Sequence, residues 1–230
     1  MKASTFAIAA AQTRILARRR TALLLLALLP LAFYGALYRH SPHAIAIAGV
    51  ASAFSVGGAG IFSMLPALTA DQRLVLVGYR PTVLVLGRLV VLELAGAPVA
   101  AITWAVMMAG SSPSHPAEVF AGLILTVAVA VPLGLALGAL LPRELEAMLV
   151  LIGLVGIQMT AAPDTLIAKL LPFHAAAQLL DASVGPQVAF WPRLAISACY
   201  GVALLAVAWV AWLRRAALWS PLRSWRSRVA

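Results

Sequence analysis

Seven carboxylates, four histidines and one cysteine are the side chains in this 230-residue chain best suited to acid–base or metal chemistry near neutral pH. They are scattered. Asp71 sits with Arg73 and Arg80 in TADQRLVLVGYRP, residues 69–81, and Glu144 and Glu146 share LPRELE with Arg143. Glu93 stands by itself in a long apolar run. No GxSxG elbow, HExxH pair or Cys/His cluster occurs, so hydrolase and zinc chemistry lack their residues. His40 and His43 lie three apart, but His115 and His174 are remote in sequence. Histidines at a membrane interface account for the same pattern, and no metal site is expected. There is no GxxxxGK[ST] loop, and the lysines, Lys2 and Lys169, are not in Gly-rich surroundings. The chain is therefore not expected to be a Walker-type ATPase itself, and it is expected to bind no cofactor. Cys199 is single and cannot form an intramolecular disulfide.

The elements that position these residues follow from composition. Hydrophobic residues make up 63% of the chain and charged residues 10%, whereas soluble domains carry about a quarter charged residues. Division by bilayer thickness, at about 20 apolar residues per crossing, fills the chain with spanning helices. The expected fold is all-α: one polytopic transmembrane domain over 1–230 with six spans. These are residues 21–38 with a kink at Pro30, 44–68, 88–108, 117–141 with Pro132, 147–161, and 192–213. Residues 1–20 read as an amphipathic surface helix, with Phe6, Ala10 and Ile15 opposite Arg14 and Arg18. Residues 162–191 carry Pro163, Pro172 and Pro186, too many breaks for a span, and fit short re-entrant or extracellular helices. Residues 214–230 form a basic tail. Gly57, Gly58 and Gly60 in the second span, and Gly134 with Gly138 in the fourth, permit close helix contact.

The net charge of +10 is not a nucleic-acid signal, because the basic residues flank apolar runs. With both chain ends inside, only Arg39, Lys169 and Arg193 of the 17 basic residues fall outside. This positive-inside bias puts both termini in the cytoplasm of a cell membrane, bacterial by its Arg-rich, Lys-poor usage, where the basic clusters meet anionic headgroups. It also puts residues 69–81 in the cytoplasm. Thr69 and Gln72 match a capping box, Gly78 suits a helix end, and Pro81 suits the first position of the next helix. A short amphipathic surface helix is predicted. Glu93, five residues into a span starting at Arg88, lies about 7 Å inside it. It reads either as a proton or substrate contact or as a hydrogen-bonded neighbour near the headgroups. The six tryptophans fall mostly near predicted boundaries and read as interfacial.

This order of parts resembles the membrane-spanning subunit of the type-2 permease (exporter) family of ATP-binding cassette transporters. The resemblance covers nearly the whole chain. It rests on the basic N-terminal helix, DQRLVLVGYRP leading into RLVVLELA, the tight LPRELE hinge, and LLPFHAAAQLLDA before the last span. Only Asp71 stands where members often have an acidic pair. The resemblance implies that residues 69–81 are a coupling helix whose Asp71, Gln72, Arg73, Gly78, Tyr79 and Arg80 contact a separate ATPase subunit. Arg143, Glu144 and Glu146 would make a second cytoplasmic contact. It further implies a second permease chain, ATP and magnesium held by the partner, and short outer helices capping the exit. The apolar spans favour an amphipathic cargo such as a drug, antibiotic or lipid-like molecule. The alternative is a stand-alone proton-coupled transporter with Glu93 as the coupling acid, although no internal repeat supports it. Under that alternative Glu93→Gln abolishes pH-dependent transport, and transport unchanged at every pH tested removes the role.

Overall fold

The computed structural model describes residues 20–76, 78–162, 164–186 and 188–217. The surface helix expected over residues 1–20 lies outside them except for Arg20, and the basic tail lies outside beyond Ala217. The described residues form helices and no strand: α1 (Arg20–Leu37), α2 (Ala44–Met64), α3 (Ala67–Leu76), α4 (Pro81–Gly110), α5 (Pro116–Leu140), α6 (Glu144–Thr160), α7 (Leu166–Leu170), α8 (His174–Asp181) and α9 (Phe190–Ala217). Four of them, α2, α4, α5 and α9, contain stretches long and apolar enough to cross a membrane. The protein is all-helical, with the apolar helices of a membrane-embedded chain.

The long helices alternate in direction between two ends of a bundle. At one end, the Tyr34 hydroxyl of α1 donates to the Met107 carbonyl of α4 at 3.2 Å. Leu180 of α8 fits over Gly49 and Gly122 there, where an added Cβ would come within 2.5 and 2.8 Å of it. At the other end lie the C-termini of α2 and α5, with Met64 against Gly138. Helices α2 and α5 therefore run parallel. The 65–80 segment and the LPRELE hinge share one end, and α8 occupies the opposite end.

Helices α2 and α5 form the centre: 83% of the apolar stretch of each is buried, against 33% in α4 and 22% in α9. Their contact is made by backbone. A Cβ at Gly134 would overlap the Gly57 carbonyl oxygen, and one at Gly60 would stand 3.1 Å from the Gly134 Cα. The two glycine sets expected to permit close approach thus meet each other. The outer faces keep large apolar side chains, including Leu94, Leu145, Leu149 and Val202, exposed. A contiguous apolar exterior of this kind suits lipid and not water.

Several boundaries differ from those expected. The second apolar run breaks at Leu65–Pro66, because Pro66 has no N–H to continue α2 and suits the entry to a new helix. Helix α3 therefore begins at Ala67, and Thr69 lies inside it. The predicted cap at Thr69 is incorrect, and the side chains of Thr69 and Gln72 lie outside the described set. Helix α4 begins at Pro81, its first residue, not at Arg88. Glu93 is accordingly twelve residues beyond the helix start, about 18 Å along the axis. Helix α6 starts at Glu144 with Arg143 as its N-cap, which draws the second half of the expected hinge into the helix. The short helices α7 and α8 fall within 162–191 as expected.

The Gly57–Gly134 crossing predicts that Gly134→Ala destabilises the bundle by about 2 kcal/mol or more, since its new methyl meets backbone. Gly153, with nothing within 4 Å of an added Cβ, is the control. Gly153→Ala should leave unfolding in detergent micelles unchanged or slightly stabilised.

Candidate functional site

Helix α3 is short and amphipathic, and its inward face is set by spacing. Ala67, Asp71, Leu74 and Val75 recur at helical intervals. Ala67 and Asp71 are buried, while Leu74 and Val75 are half-buried against the core. Ala70 and Arg73 lie on the exposed side. The helix ends in a Schellman arrangement. The Gly78 N–H donates to the Val75 carbonyl at 3.1 Å, and the Tyr79 N–H donates to the Leu74 carbonyl at 3.0 Å. Gly78 has φ of 101°, in the left-handed region that a side chain disfavours. Arg80 is extended, as a residue preceding proline should be, and Pro81 opens α4. The turn predicted from Gly78 and Pro81 is present.

Beneath α3 is a buried polar cluster. Asp71 is 1% exposed and Arg88, two turns into α4, is also 1% exposed. Arg88 Nη2 donates to Asp71 Oδ1 at 2.5 Å. Trp212 of α9 donates from Nε1 to Asp71 Oδ2 at 3.2 Å, and Arg88 Nη1 reaches Met64 Sδ at 3.4 Å. Both carboxylate oxygens are therefore engaged. Arg88 Nε is buried without a hydrogen-bond partner. Trp209 stacks on Trp212, with ring centroids 5.9 Å apart. One carboxylate thus joins α3, α4 and α9, with the end of α2 alongside.

This geometry divides the predicted contact residues. Asp71 faces the bundle interior and does not present its carboxylate at the surface of this chain. Arg73, Gly78 and Arg80 are exposed, and Tyr79 is half-buried against the core. In the hinge, Arg143 donates to Glu146 at 2.7 Å on the surface, at the same end of the bundle. Glu93 is half-buried, and among the described residues none makes a hydrogen bond or ion pair with it. Trp212 is not an interfacial ring: it is 3% exposed and its N–H is used. Arg88 and Trp212 were absent from the predicted site. A guanidinium seven residues inside an apolar helix requires a partner, a signal that a helix start at Arg88 conceals and the observed start at Pro81 reveals.

A second polar group lies at the opposite end. A cleft of about 270 Å³ opens between the start of α2, the end of α6 and α8. His43 Nδ1 donates to Asp181 Oδ1 at 3.0 Å. Arg193 Nε donates to Gln178 Oε1 at 3.0 Å, and the Gln178 amide lies 3.0 Å from His174 Nε2. Because Gln178 uses its oxygen for Arg193, its NH2 faces His174, whose Nε2 must accept. Burial, with the nearby Lys169 and Arg193 charges, lowers the His174 pKa and favours that neutral form. Among the described residues, no three His, Cys, Asp or Glu side chains are grouped to hold a metal ion.

The fold and these two polar groups define an all-helical protein with the apolar helices of a membrane-embedded chain, carrying a docked surface helix at one end and a polar cleft at the other. No protein-family model matches the chain, and no curated protein matches it.

Removing one partner of a buried pair costs about 3–5 kcal/mol, because it leaves an unpaired charge. Asp71→Ala should lose stability on that scale, measured by denaturant unfolding in micelles. The double variant Asp71→Leu/Arg88→Met should recover most of it.

Proposed function

We propose that this chain is the membrane-spanning subunit of an ATP-binding cassette exporter, with six spans and the α3 end of the bundle in the cytoplasm. The observation that carries this reading is the attachment of α3. A helix that only lay on the surface could be displaced without consequence. Here, displacement of α3 must drag Asp71, and through it Arg88 of α4 and Trp212 of α9. Pulling the pair apart instead would leave buried charges unpaired. A partner pressing on the exposed side of α3 would therefore act on two long helices at once.

In this reading Arg73, Gly78, Tyr79 and Arg80 meet the ATPase subunit, and the Arg143–Glu146 hinge adds a neighbouring contact. Asp71 acts from inside as a positioning residue for the contact surface. Gln72 stays in the proposed contact on its sequence position. ATP and magnesium belong to the partner. Its closure on nucleotide would favour one packing of the spans over another, a population shift driven by differential binding. Two such permease chains would enclose the pathway, and the apolar character of the spans suits an amphipathic cargo. Helices α1 and α6, at 18 and 17 residues, fall at the short end of lengths that cross a bilayer. They run in the sense that an alternating six-span path requires.

Purification of the chain from its native membranes should bring down a subunit carrying a GxxxxGK[ST] loop and ATPase activity. The double reversal Arg73→Glu/Arg80→Glu should abolish that association and ATP-driven transport without altering membrane insertion or thermal unfolding. Retention of the ATPase by the reversed variant would remove the coupling role from α3. Absence of any nucleotide-binding subunit from the wild-type preparation would overturn the exporter reading itself.

A further inference from the structure

The cleft between α2, α6 and α8 has more capacity to accept hydrogen bonds than the protein fills. Gln158 of α6 lines it and is 7% exposed, yet its Oε1 is buried with no hydrogen-bond partner. A buried carboxamide oxygen left unsatisfied is costly, and native proteins seldom retain one without a use. Rotation about the soft terminal torsion exchanges the oxygen and the NH2 of this carboxamide, so the side chain can present either to the cleft it lines. Asp181, also on the lining, uses Oδ1 for His43 and has no hydrogen bond to Oδ2 among the described residues. Its side chain is 34% exposed, so the free oxygen is reachable. Thr160 donates its proton to the Gly156 carbonyl and keeps its lone pairs. Ala46, Ile47 and Val50 of α2 give the cleft an apolar wall.

We propose that this outer cleft binds the ammonium head of an amphipathic amine, with Asp181 supplying the counter-charge and Gln158 a second acceptor. An ammonium has three donors and no acceptor, which complements this lining. A carboxylate or phosphate would face the Asp181 charge, while the donors on the lining, His174 and Gln178, are in part committed to each other. At about 270 Å³, the cleft falls just short of the roughly 300 Å³ at which pockets for whole drug-sized ligands begin. It therefore takes a head group, with the adjoining methylenes of the ligand against the apolar wall of α2. The site uses no residue of the α3 cluster and needs no ATPase, so it stands apart from the exporter reading.

The test uses the full chain in phosphatidylcholine nanodiscs and three soluble probes of one shape, titrated calorimetrically: 2-phenylethylamine, 2-phenylethanol and 3-phenylpropionate. The amine should bind, and the alcohol and the acid should bind at least about tenfold more weakly, the scale of one charge-assisted hydrogen bond. Asp181→Asn should weaken the amine about tenfold while leaving the alcohol unaffected. Gln158→Leu, close in volume and free of the unsatisfied oxygen, should keep or raise thermal stability while weakening the amine. It thereby separates lost binding from lost folding. Repeating the titration in phosphatidylethanolamine nanodiscs identifies the source of the ammonium. Weakened amine binding there assigns the site to the lipid headgroup, and undiminished binding assigns it to a free amine. Equal affinity for amine and alcohol, amine binding untouched by both substitutions, or no binding of the amine overturns the proposal.

Discussion

The close approach of Gly57 to Gly134 fixes the rest of the bundle. Water does not drive helices together inside a bilayer, so association rests on dispersion contacts and on how near two backbones can come. Side chains are absent at this crossing, and α2 and α5 touch through main-chain atoms. Once they run parallel in that register, their C-terminal ends coincide, and so do the two connections that follow, residues 65–80 and 141–143. Their N-terminal ends coincide as well, around Leu180, which closes the opposite end by fitting over Gly49 and Gly122. Helices α4 and α9 then line the outside, with most of their apolar stretches unburied.

On that frame, α3 is held by two kinds of interaction. Its end is set by local geometry, through the positive φ of Gly78 and the two backbone hydrogen bonds around it. Its position against the bundle is set by Asp71, whose oxygens are divided between a guanidinium on one helix and an indole on another. A buried ion pair is a weak source of net stability, because desolvation offsets much of the Coulomb attraction. What it supplies is register. Both oxygens of Asp71 are satisfied in this position, which sets the seat of α3.

The legibility of this arrangement in the sequence follows the range of the interactions. Gly78 and Pro81 act within a few residues of themselves, and both were readable. The glycine sets were readable as permission for close contact, although their pairing with each other depends on the fold. Thr69 was misread because Pro66, three residues earlier, starts the helix first. Arg88 was assigned to a membrane edge because the helix start was placed seven residues late, and Trp212 was assigned to an interfacial belt by a rule that counts distance from the chain's apolar ends. Asp71 and Trp212 are 141 residues apart, beyond any local pattern. The cleft between α2, α6 and α8 is less legible still: Gln158, His174 and Asp181 come from separate segments, and none carries a motif.

The same separation has a consequence for biosynthesis. Asp71 and Arg88 leave the ribosome close together, but the indole that completes the cluster comes from the last helix. Until α9 packs against the bundle, Asp71 Oδ2 lacks its final donor. An early intermediate containing α1 to α4 therefore carries an unfinished polar patch on the flank that α9 will cover. Insertion of the final helix satisfies that oxygen and covers the patch in one event.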